Sequence, residues 1–257
     1  METSTKYQPR IVRGRSEIWV PHKDGEIAFI SPSVGPTSYT EAGRRILEKG
    51  LQVPTGDYIA SLLHSAYCDA SVADQPEFKE VIRTMHKGQF WIFNSNVWSR
   101  KGVYVLQGEE TTESSPPLDV NGLEEILKDG EDIGGIRFSR DGRVRFAPIK
   151  SYNLDLNRTQ KELFAPIKSY NLDLNRTQKE FAEDGFIIAS YGQEGAEKLG
   201  EVSATFRYRP FISGVKAKER TTKQTVSAVG EYDRGLHFDS SYQAHSYQEG
   251  YAFGVRK

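Results

Sequence analysis

His64 and Cys68 stand four residues apart in the segment TGDYIASLLHSAYCD. On a helix that spacing brings imidazole and thiol to one face, together with Asp57 and Ser61. A thiolate stabilised by a neighbouring imidazolium is a nucleophile, so His64, Cys68 and Asp57 are the candidate catalytic residues. The plain alternative is a polar, partly solvated helix face. No partner motif for an oxyanion hole accompanies the pair.

A second set lies in LHFDSSYQAH, where His237 and Asp239 share one face of a strand and His245 follows. Imidazole and carboxylate suit zinc, iron or manganese, so these three are the candidate metal ligands. Their spacing matches no metal motif, and a histidine in an aromatic strand is commonly packed or hydrogen-bonded. No cofactor is expected. In YGQEGAEKLG, Gly192 and Gly195 sit at a helix start that could hold phosphate, but the lysine spacing of a P-loop and the full dinucleotide fingerprint are both missing.

The basic residues are more numerous. Arg137, Arg143 and Arg145 alternate with apolar residues in GIRFSRDGRVRF. Arg207 and Arg209 do so in FRYRPF, and Lys216, Lys218 and Arg220 follow in KAKER. Arginine pairs bidentately with phosphate, and neighbouring tyrosines can stack on bases. If these strands adjoin, they make a cationic platform for nucleic acid or another polyanion. The leading functional expectation is therefore a binding module of that kind. A small Cys/His enzyme and a structural or protein-interaction protein are the alternatives.

The elements that must position these residues follow from hydrophobic period and turn chemistry. EIWVPHKDGEIAFI reads as a hairpin around Asp-Gly, and GIRFSRDGRVRF as another, with Ile136, Phe138, Val144 and Phe146 on one face. Tyr58, Ile59, Leu62, Leu63, Ala66 and Tyr67 recur at helical spacing, as do Phe78, Val81, Ile82 and Met85, the latter behind an Asp74/Glu77 capping box. QFWIF, VYVL and FIIASY read as strands, QEGAEKLG as a short helix, and the aromatic tail as strands. Strands and helices do not alternate regularly. The fold class is α+β, antiparallel hairpins packed with short amphipathic helices.

An 18-residue segment, FAPIKSYNLDLNRTQKEL at 146–163, is repeated at 164–181 as FAPIKSYNLDLNRTQKEF, with only Leu163 and Phe181 differing. Eighteen residues make about five helical turns or an even number of strand positions, so such an insertion keeps its flanks aimed as before. We expect a recent or engineered duplication in which one copy holds the parental place and the other is extruded or extends a helix.

The chain has 257 residues. It divides into an N-terminal α+β region (1–107), an acidic linker (108–118) and a C-terminal α+β region (119–257), unless these form one continuous domain. Residues 108–132 carry nine carboxylates and one lysine, −8 against +7 for the remainder, which together give the net −1. Cys68 is the only cysteine, so no intrachain disulfide can form. No run approaches the ~18 apolar residues of a membrane span, and no secretory leader is legible. The expectation is a protein of the cytoplasm with no membrane partner.

Overall fold

The computed structural model describes residues 8–12, 17–108, 119–154, 176–215, 222–232 and 234–256. The protein is α+β, and the described residues hold twelve strands in one sheet that branches at its centre. The first hairpin forms around HKDG as expected, with Lys23 and Asp24 as its turn and Gly25 already in the ladder: β2 (Glu17–His22) pairs antiparallel with β3 (Gly25–Thr37) from Glu17–Ile30 to His22–Gly25. Lys23, at φ 51°, starts the two-residue turn. A short strand, β1 (Arg10–Val12), edges this hairpin.

The centre is β4 (Gln89–Trp98), flanked by β5 (Gly102–Gln107) on one side and β10 (Lys223–Tyr232) on the other. Beyond β5 lie β8 (Val144–Pro148), β7 (Ile136–Phe138) and β6 (Glu131–Ile133). Beyond β10 lie β11 (Gly235–Tyr242) and the parallel β9 (Tyr208–Ser213). The strand β12 (Gly250–Arg256) pairs with β3 and bridges β4 through Tyr251 and Phe90, so strands from both sides of residues 108–118 interleave.

Helices cover both faces. The largest core packs α2 (Gly56–Cys68), α3 (Pro76–Lys87) and α6 (Gly185–Ser203) on one face, burying Leu62, Leu63, Phe78, Phe186 and Tyr191 against Phe90, Ile92 and Phe238. On the other face α1 (Tyr39–Leu47) covers Trp91 and Phe93, and α4 (Val120–Ile126) with Leu127 covers Val97, Tyr104 and Val144. This two-sided burial explains why FWIF is apolar without alternation.

Three sequence expectations change. Phe186–Tyr191 is the first half of α6, not a strand; a short run buried all round carries no period to tell helix from strand. The N-cap of α3 is Gln75, with Pro76 opening the helix, and Asp74 instead pairs with Lys79 at 2.9 Å. In the second hairpin, Phe138 faces Arg145 and Arg137 faces Phe146. Ile136 and Phe138 join the large core while Val144 and Phe146 pack beneath α4, so the apolar residues of the two strands lie on opposite faces. Because α4 supplies a second apolar cover, the one-residue phase difference costs β8 no burial and turns Arg145 inward.

The repeat enters the fold as a composite. Phe146–Leu154, which includes the end of β8, comes from the first copy. Arg176–Phe181, which opens α5 (Gln178–Ala182), comes from the second. Residues 155–175 lie outside the described residues, so which whole copy is extruded does too. Flanking residues unique to each junction anchor this register. Arg145 precedes only the first copy. Asp184, three residues past the second, caps α6 through Phe186 N–H at 2.9 Å and accepts from Asn153 N–H at 3.0 Å. Phe181, the position that differs between copies, is fully buried.

Candidate functional site

The helices α2 and α6 run side by side in parallel: Gly56 meets Ser190, Asp57 meets Gly192, Ser61 meets Lys198 and His64 meets Glu201. Gly56 permits the approach, since a Cβ there would fall 2.1 Å from Ser190 O. At Gly192 the backbone turns to φ 71°, ψ 168°, breaking α6 into two segments. Glycine fits because the left-handed region is costly for side chains. The break orphans carbonyls of the first segment, and buried side chains answer them. Gln107 Nε2 donates to Ala189 O at 3.2 Å and Ser190 O at 2.8 Å, and Arg145 Nη1 donates to Ala189 O at 3.2 Å. The second segment gains an N-terminus of its own.

Around this break lies a cavity of about 210 Å³, walled by the β2–β3 turn, α2, the β7–β8 turn and α6. On its floor Arg145 holds Asp57 bidentately, Nη1 to Oδ1 at 2.9 Å and Nη2 to Oδ2 at 3.0 Å, with both residues buried. Arg145 also donates to Gly142 O and lies over the Phe138 ring. Lys23 Nζ approaches Asp57 Oδ2 at 3.7 Å from the exposed turn. On the wall, Ser61 Oγ is 3.0 Å from His22 Nδ1, accepts from Lys198 Nζ at 3.1 Å, and reaches Asp57 O at 3.3 Å. Lys198 also pairs with Glu194 at 2.6 Å. Burial, and then the Lys23 charge, push the His22 pKa below its ordinary value, so the imidazole is neutral at pH 7.

The sequence-derived candidates divide. Asp57 and Arg145 meet here, as a buried pair rather than as a nucleophile's helper and a surface contact. Arg137 and Arg143 are exposed on and beside β7 and β8, and Arg207 and Arg209 on and beside β9. Between β8 and β9 the sheet runs through β5, β4, β10 and β11, so these arginines lie toward opposite ends of it and do not share one platform. Lys216, Lys218 and Arg220 lie outside the described residues. His64 and Cys68 do share a face of α2, but burial and the Glu201 carboxylate push the Cys68 thiol up to about 11, the opposite of an activated thiolate. His237 stacks on Phe211 at 4.1 Å and bonds Ser213 Oγ at 2.8 Å, with Asp239 Oδ2 3.7 Å away. His245 sits in an exposed turn, and these three do not converge as ligands among the described residues.

His22, Lys23, Glu194 and Lys198 were not legible as site residues. The Asp-Gly turn that places the first two, and the i,i+4 spacing of the last two, were the available signals.

No family model and no curated protein matches the chain. A solved structure described as "Accommodation of massive sequence variation in Nanoarchaeota by the C-type lectin fold" is similar over 88% of this chain and 98% of its own, at 12% identity and a TM-score of 0.44. No helix among the described residues is long and apolar enough to cross a membrane.

Proposed function

We propose that this protein is a binding module for a small anionic ligand, held in the cavity between α2 and α6. One observation carries the reading. Lys23, Lys198 and the N-terminal end of the second α6 segment converge on a cavity whose buried arginine and aspartate already neutralise one another. Three cations against two carboxylates leave an excess of one positive charge, with His22 neutral. A helix N-terminus favours an anion by its free N–H groups and its dipole. We place the anion in the cavity rather than along the strands because the exposed arginines sit toward opposite ends of the sheet. A volume near 210 Å³ suits a phosphate or carboxylate group with a small remainder, not a polymer. Within the same reading the duplication adds eighteen residues beyond what the fold needs, and no described residue of the repeat lines the cavity.

Calorimetric titration with pyrophosphate, citrate and a single-stranded oligonucleotide, at about 50 and 200 mM salt, tests this. The reading expects a small anion to bind one to one and Lys198→Gln to weaken it roughly tenfold or more. It fails if neither small anion binds while oligonucleotide affinity falls steeply with salt and drops in an Arg207→Gln/Arg209→Gln variant.

A further inference from the structure

One helical turn along the α2–α6 seam from Ser61 and Lys198, a second group of side chains converges. His64 and Cys68 project from the same face of α2, and Glu201 faces them from α6. His64 Nε2 and Glu201 Oε2 are 2.9 Å apart, and one ligand atom from each of the three residues lies within 4.8 Å of the others. No other three His, Cys, Asp or Glu side chains do this among the described residues.

We propose that His64, Cys68 and Glu201 form a binding site for one zinc-like divalent transition-metal ion, with its fourth coordination position open to solvent. The donor set decides the class of metal. Imidazole nitrogen, thiolate sulfur and carboxylate oxygen suit zinc and its neighbours, whereas calcium and magnesium require oxygen throughout. Tetrahedral bonds of about 2.0–2.3 Å place ligand atoms roughly 3.3–3.7 Å apart, so the trio needs only a modest adjustment. The chain can make it. Glu201 has a side chain 67% exposed that reaches across to His64, while His64 and Cys68 are fixed in spacing by one turn of helix. The adjoining Lys198–Ser61 bond, 3.1 Å long, keeps the two helices in register.

The charge balance also favours a dication. The trio sets a carboxylate and a thiol beside one imidazole. A metal ion displaces the thiol proton to solvent, bonds the resulting thiolate and compensates both negative groups. This inference does not depend on the anion-binding reading, since the residues differ and lie a turn apart.

The single cysteine makes the test specific: a thiolate-to-metal charge-transfer band can arise only at Cys68. Cobalt(II) is titrated into the reduced full chain and followed in the near-ultraviolet and visible. The expected result is a charge-transfer band with tetrahedral d–d bands, saturating at one equivalent and bleached by zinc. Cys68→Ser abolishes the charge-transfer band. Glu201→Gln and His64→Gln each shift the midpoint to roughly tenfold higher cobalt or more. Three results would overturn the proposal: no charge-transfer band at millimolar cobalt, the same band in Glu201→Gln and His64→Gln, or saturation at half an equivalent, which means a metal shared by two chains. If His64→Gln does not fold, the exposed Glu201→Gln decides alone.

Discussion

Arg145 and Asp57 join β8 to α2 through two parallel hydrogen bonds of 2.9 and 3.0 Å, across 88 residues of sequence. The pair is the floor of the cavity and also a fastener, because the same guanidinium holds Ala189 O at the α6 break. Removing one partner strands a buried charge. Asp57→Asn and Arg145→Met should each lower the unfolding free energy by about 3–5 kcal/mol. The double variant should lose less than the sum, which urea unfolding of the four chains measures. Simple additivity would mean that the two groups act separately.

His22 makes stability depend on pH. Its folded pKa lies below the ordinary 6.5, so the unfolded chain binds the proton more readily, and stability is lost as pH falls through the neutral-to-acid range. Asp184 works in the other direction, its pKa pushed up to about 6 by burial against the opposing help of Asn153 N–H and Arg176. Comparing wild type with His22→Gln cancels that contribution. The stability advantage of wild type should be greatest above pH 7 and shrink toward pH 5 in thermal melts; a difference independent of pH contradicts the buried neutral imidazole.

Two deletions of 18 residues test the repeat. Removing 155–172 leaves FAPIKSYNLDLNRTQKEF, and removing 164–181 leaves FAPIKSYNLDLNRTQKEL, so the products differ only in Phe or Leu at one core position. Arg176 already donates to Asn153 O, so a three-residue link between Leu154 and Arg176 is short enough to close. The first deletion should keep the fold and gain about 1–2 kcal/mol from the shorter closure. The second should be less stable than the first by about 1–2 kcal/mol, the cost of a smaller side chain in a fully packed site. Unfolded products of both deletions would show that the fold cannot spare eighteen residues from the repeat.

Gly56→Ala should destabilise the protein by about 2 kcal/mol or more and weaken any ligand of the cavity. The added Cβ meets backbone, Ser190 O at 2.1 Å, and cannot be relieved by a side-chain rotation. Gly50→Ala is the control; its Cβ meets nothing within 4 Å, so only the cost of its φ of 69° applies. Equal losses at the two positions would show that helix approach is not what Gly56 provides.

The elements legible in the sequence were those with their own local signals. HKDG marks the first hairpin, and the apolar stripes mark α2 and α3. The reading failed where a second cover altered what a pattern means. Phe186–Tyr191 is buried all round and lost its helical period. Phe146 packs beneath α4, so alternation on β8 pointed Arg145 the wrong way. The site itself is half visible in the sequence, where Asp57, Ser61 and Arg145 stand out separately. Their meeting depends on the parallel contact of α2 with α6, which no local pattern encodes. The arginine platform required β7–β8 and β9 to adjoin, and strand order is a non-local property.

The placement of β12 has a cost in time. Thr37 finds its partner in Gly250 and Ala28 in Arg256, so the far edge of the first hairpin is completed by strand residues more than two hundred positions downstream. At about 5–20 residues translated per second, the ribosome leaves that edge uncovered for about 10–40 s. A nascent chain in this state presents an open row of amide and carbonyl groups to any neighbouring strand, so crowded polysomes and slow codons before residue 250 are where aggregation of this protein would begin.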